Sequence, residues 1–147
     1  MPGTEMPELR PFHLAIPVRD IESTRRFYSG ILGCGVGRTS DTWIDFDFFG
    51  HQLSAHVETE EPAPVQTNPV DGAEIPVRHF GIVLDWEHWE GLQRKLDDLS
   101  VRFMIEPTIR FRGKPGEQAT FFIRDPSGNV LEFKAFRYDQ QLFAVTE

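Results

Sequence analysis

Two histidines and one glutamate carry the chemistry most open to a sequence reading. His13 opens the apolar run at residues 12–18, His79 opens the run at 78–84, and Glu132 sits in the middle of the run at 129–136. Side chains alternate between the faces of a strand, so Leu131, Phe133 and Ala135 can meet an apolar layer while Val130, Glu132 and Lys134 face the other way. If the histidines share the side of Glu132, the chain holds a two-histidine, one-carboxylate donor set. Two neutral imidazoles and a carboxylate leave a divalent cation with net positive charge and open coordination positions, which suits Lewis-acid chemistry on substrate oxygens.

Those residues need strands to hold them. After the first strand, Asp20 is a good N-cap, and Ile21, Thr24, Phe27, Tyr28, Ile31 and Leu32 recur at helical spacing before Gly33, predicting one amphipathic helix. The glycines at 33, 35 and 37 follow a helix rather than a strand, which argues against a dinucleotide fingerprint. Period-two alternation predicts a hairpin over residues 42–57 with its turn at Gly50 and His51. In its second strand Gln52, Ser54 and His56 share one face, while Asp45 and Asp47 in its first read as a solvated strand face. Residues 58–76 carry several prolines and acids without periodicity and read as a linker or long functional loop.

Beyond that stretch the plan repeats. A strand at His79 is followed by Asp85 as N-cap and by Trp86, Trp89, Leu92, Leu96 and Leu99 at helical spacing. Strands are predicted at 101–109 and 119–124, and a turn at 125–129 leads into the strand of Glu132. The expected division is one domain over residues 1–147, with a first βαβββ module at 11–57, a linker at 58–77, a second module at 78–136 and a tail at 137–147. Matching Gly50 with Gly128 places Ser54 opposite Glu132 and His56 opposite Lys134.

At 147 residues the chain fits one domain, which would bury about 70% of its unfolded surface, and 13 phenylalanines and 3 tryptophans suit that core. A net charge of −8 disfavours nucleic acid or an anionic membrane as partner. The lone Cys34 excludes an intrachain disulfide. With no leader-like start and no long apolar run, a cytoplasmic protein is expected.

The paired modules, each with an early histidine, and the closing Asp-Pro-Ser-Gly-Asn-Val-Leu-Glu-Phe at 125–133 resemble the vicinal oxygen chelate superfamily. Its members include glyoxalase I, extradiol dioxygenases and the metal-free bleomycin-resistance proteins. The resemblance implies an α+β fold in which two βαβββ modules form a cup-shaped mixed sheet with helices outside. It implies metal ligands at His13, His79 and Glu132, one divalent ion (Fe, Mn, Ni or Zn), and a small substrate bound through two vicinal oxygens.

Where four-ligand members carry a second glutamate this chain has Ser54. His56, two residues on, is a candidate fourth ligand or proton-transfer group, with Gln52 as its alternative in proton transfer. The extradiol enzymes' histidine and tyrosine fall on Gln52 and Phe122, so a lyase or isomerase is placed ahead of an Fe(II) dioxygenase. A metal-free small-molecule binding protein is the other reading, and an interaction protein using the acidic 58–76 stretch a third. Lys134, Phe122 and Arg110 are the candidate substrate contacts; Lys134 could instead pair with Glu132, and the basic run at 110–114 suits a solvated loop or carboxylate recognition. A homodimer paired through sheet edges is expected.

Overall fold

The computed structural model describes residues 8–145, so the first seven residues of the lead-in and the last two of the tail lie outside the described residues. The chain divides into two compact units, Met1–Glu58 and Thr59–Glu147.

In the first unit, strand β1 (His13–Val18) leads to helix α1 (Ile21–Arg25), then to β2 (Gly35–Thr39), β3 (Trp43–Phe48) and β4 (His51–Val57). The sheet order is β1-β4-β3-β2, with β1 parallel to β4 and the remaining pairs antiparallel. Asp20 caps α1 by accepting from the Ser23 amide at 2.6 Å. The single helix expected to Gly33 widens into a π turn over Arg26–Ile31, closed by the Leu32 amide on the Phe27 carbonyl at 3.0 Å. That turn carries two adjacent aromatics, Phe27 and Tyr28, and both are buried. Tyr28 packs against Phe46, ring centroids 5.2 Å apart, on the face that also buries Ile16, Val18, Ile44 and Leu53.

The second unit repeats the plan. β7 (Phe80–Leu84) precedes α2 (Trp86–Asp98), β8 (Phe103–Arg110), β9 (Gln118–Arg124) and β10 (Val130–Phe136), in the order β7-β10-β9-β8 with β7 parallel to β10. Asp85 caps α2 through the His88 amide at 2.8 Å. Trp89 and Leu96 of α2 are buried with Phe121, Ile123, Leu131 and Phe133, and the Trp89 indole donates to the Phe133 carbonyl at 2.9 Å. In both units a helix covers one face of a four-stranded mixed sheet, and the other face carries the polar side chains.

Residues 58–76 hold more than a loop. Strands β5 (Thr67–Val70) and β6 (Ala73–Pro76) form a hairpin, turned by Asp71 and Gly72 with φ of 47° and 82°. An Asp-Gly pair is a strong type I′ signal, here masked by the surrounding prolines. The hairpin is tied to the second unit: Ile75 is buried with Ile105, Phe122 and Val130, and Asp71 accepts from Arg110 at 2.8 Å.

Candidate metal centre

The polar face of the second unit brings two of the three expected ligands into contact. His79 immediately precedes β7, and its Nε2 lies 3.2 Å from Glu132 Oε1 on β10. Its Nδ1 lies 2.9 Å from the Pro76 carbonyl oxygen. The Pro76 carbonyl and the Glu132 carboxylate both only accept, so a neutral His79 donates to one of them and its tautomer sets which. With the proton on Nδ1, Nε2 presents a lone pair beside the carboxylate, as a metal ligand does. Two neighbouring ligands with bonds of about 2.1 Å sit roughly 3.0–3.4 Å apart around an ion, so the pair has the spacing of adjacent ligands. Glu132 is held from its other side, where Thr120, fully buried, donates to Oε2 at 2.6 Å.

Sequence and packing explain how this contact forms. The turn before β10 is wound on Asp125, which accepts from the Ser127 and Asn129 amides at 2.9 Å each. β7 comes close because residue 81 is glycine: it pairs with Glu132 across the parallel ladder, and a Cβ there would run into the Glu132 carbonyl oxygen.

His13 stands on the corresponding face of the first unit. Its Nδ1 is 2.8 Å from Gln52 Oε1. Gln52 Nε2 donates to Asp45 Oδ2 at 3.3 Å, and Ser54, 6% exposed, donates to Asp45 Oδ1 at 2.6 Å. Asp45 is thus engaged within the site face, against its reading as a solvated strand residue. Ladder register supports the expected correspondence of the modules: Ser54 pairs with Ala15 as Glu132 pairs with Gly81. His56 is exposed on the same face, paired with Pro17, four residues and about 13 Å along β4 from Gln52.

Among the described residues no group of three or more His, Cys, Asp and Glu side chains gathers that could hold a metal ion. The first unit carries His13 with its hydrogen-bonded partners, and the second carries His79 with Glu132. Lys134 is half-buried on the Glu132 face, opposite Thr120. Phe122 is buried, its ring centroid 5.3 Å from that of His79, so it walls the histidine. The Arg110 guanidinium is taken by Asp71. Away from the site, His51 Nδ1 accepts from the Phe12 amide at 2.8 Å, and exposed His88 pairs with Asp85. Sequence reasoning missed Thr120 and Asp45, which show their part only once β9 is registered on β10 and β3 on β4.

Comparison with known proteins gives one family. Residues 10–133 match the model of the Glyoxalase/Bleomycin resistance protein/Dioxygenase superfamily. A solved glyoxalase/bleomycin resistance protein/dioxygenase from Alicyclobacillus acidocaldarius is 36% identical, with a TM-score of 0.76 over 90% of this chain and 96% of that one. Virulence protein STM3117 of Salmonella typhimurium is 25% identical across 84% of this chain and 82% of its own length. A lactoylglutathione lyase structure from Agrobacterium tumefaciens shares the fold at 17% identity and a TM-score of 0.61, covering 94% of this chain and 98% of that one.

Proposed function

Because the chain belongs to the glyoxalase/bleomycin resistance protein/dioxygenase superfamily, we propose that it is a metal-dependent lyase or isomerase acting on a small substrate with two vicinal oxygens. The observation that carries this is the 3.2 Å approach of His79 Nε2 to Glu132 Oε1, a spacing that adjacent ligands of one ion share. His79, Glu132 and His13 are the residues that would hold a divalent ion. When bound, that ion supplies Lewis acidity to the two chelating oxygens.

The chain's own groups do the rest. Thr120 fixes the orientation of the Glu132 carboxylate, and Phe122 excludes water from one side of the His79 ring. Lys134, two residues along β10 from Glu132, attracts an anionic group on the substrate. His56 is the proposed group for moving a proton at the substrate, a contribution typically worth about 10²–10⁴-fold in rate. Gln52 has no proton to exchange at neutral pH, and its part is to orient His13. Phe122 cannot serve as an acid or base, which keeps an extradiol dioxygenase second.

The test is turnover of 2-oxoaldehyde hemithioacetals and 2-oxo acyl thioesters by protein reconstituted with Fe(II), Mn, Ni or Zn. Activity lost in Glu132→Gln and reduced about 10²–10⁴-fold in His56→Ala is the expected result. Oxygen consumption with a catechol, abolished in His13→Ala, would reverse the order of the two chemistries. Ligand affinity unchanged in Glu132→Gln would favour a metal-free binding protein.

A further inference from the structure

Both histidines sit at the same place in their modules, yet different devices hold them. His79 Nδ1 faces a backbone carbonyl, Pro76 O, at 2.9 Å. His13 instead faces a side-chain amide, whose oxygen and nitrogen can exchange places by a rotation about the last side-chain bond. Which atom faces His13 decides which of its nitrogens carries the proton.

Asp45 settles the rotation. Its carboxylate is an acceptor, so it takes the NH₂ end of Gln52, at 3.3 Å from Oδ2, and turns the amide oxygen toward His13 Nδ1 at 2.8 Å. Ser54 holds Asp45 from the other oxygen at 2.6 Å. β-ladder pairing fixes the spacing, with His13 opposite Gln52 and Ser54 opposite Asp45. We infer that Asp45, acting through Gln52, locks His13 in the Nδ1–H tautomer and so presents a bare Nε2. The inference rests on the proposed metal reading for its purpose, though not for its geometry.

The two modules thus use one hydroxyl–carboxylate pair in two arrangements. In the second, Thr120 supports a carboxylate on the central strand, Glu132, which touches the histidine directly. In the first, the central strand carries the hydroxyl, Ser54, and the carboxylate has moved to the neighbouring strand. From there Asp45 reaches its histidine through the glutamine, and is a positioning residue.

Histidine tautomers are read directly in metal-free, ¹⁵N-labelled protein by two-bond ¹H–¹⁵N correlation at a pH where the imidazoles are neutral. The expected result for wild type is His13 protonated at Nδ1 and bare at Nε2. Gln52→Met removes the acceptor and shifts His13 toward the Nε2–H form that free imidazole favours, whereas Gln52→Glu keeps an acceptor there and preserves the wild-type pattern. Asp45→Ala, which frees the amide to rotate, shifts it in the same direction as Gln52→Met and serves if that variant does not fold. Zn(II) affinity should fall about 10–100-fold in Gln52→Met, the usual cost of losing a ligand's orienting partner.

A wild-type His13 protonated at Nε2, or a tautomer unmoved in both Gln52→Met and Asp45→Ala, overturns the relay. A tautomer that responds as described, in a protein that binds none of the ions, upholds the relay and removes the metal reading.

Discussion

Thr120→Val tests how Glu132 is held with the least disturbance of shape. The side chains are nearly isosteric, but the variant loses the 2.6 Å bond to Glu132 Oε2 inside a fully buried position. Stability should drop by only about 1 kcal/mol, the net worth of a typical hydrogen bond. Metal affinity should fall about 10–100-fold because an orienting partner is gone. Isothermal titration with Zn(II), beside a urea unfolding curve, separates the two effects. At this scale the sequence was informative about types and poor about partners. The contact of His79 with Glu132 was legible because each interrupts an apolar strand pattern, and His13 was singled out as the counterpart of His79 in the repeat. Thr120 and Asp45 were not, because an ordinary threonine or aspartate on a strand acquires its role only from a residue one strand away.

Among the elements, β7 and β10 depend on a residue without a side chain. Gly81→Ala would drive a methyl group into the Glu132 carbonyl and force the parallel pair apart. A cost of about 1–3 kcal/mol is expected, as for other overpacked sites, with loss of metal binding even where the fold survives. Thermal melts and metal titration of the same sample check both. The helix starts offer a second prediction. Hydrogen bonds from the Ser23 backbone and side chain hold the Asp20 carboxyl below its usual value of 3.8, and those from the His88 backbone and side chain do the same for Asp85. A lowered folded pKa means that this stabilisation is complete above the ordinary carboxylate pKa and is lost as pH falls through the folded value. Urea midpoints measured from about pH 6 down to about pH 3 should therefore fall less steeply in an Asp20→Asn, Asp85→Asn double variant than in wild type.

Both caps were legible because an aspartate stood before a helical period. The π turn at Arg26–Ile31 and strand β2 were harder to read. The first hides inside a continuous amphipathic pattern, and the second is built on Gly35 and Gly37, which carry no apolar alternation. The β5–β6 hairpin was read as linker because its prolines outweighed the Asp71–Gly72 turn.

For the whole molecule, the repeated plan was the most legible feature, since a period of about one module recurs in strand, capped helix and closing strand. The two units share strand order and ladder direction, and the family match spans residues 10–133 across both. Each carries its own polar contact: a carboxylate and a histidine in the second, a histidine with a hydrogen-bonded glutamine in the first.

The central claim is tested most directly by counting metal. Protein purified without a metal-affinity tag, reconstituted anaerobically with Fe(II), Mn, Ni or Zn and freed of excess ion, is measured by elemental analysis beside His13→Ala, His79→Ala and Glu132→Gln. The account predicts about one ion per chain in wild type and loss of that ion in all three variants. Wild-type protein that retains none of the four ions, or a Glu132→Gln variant that retains as much as wild type, would contradict it.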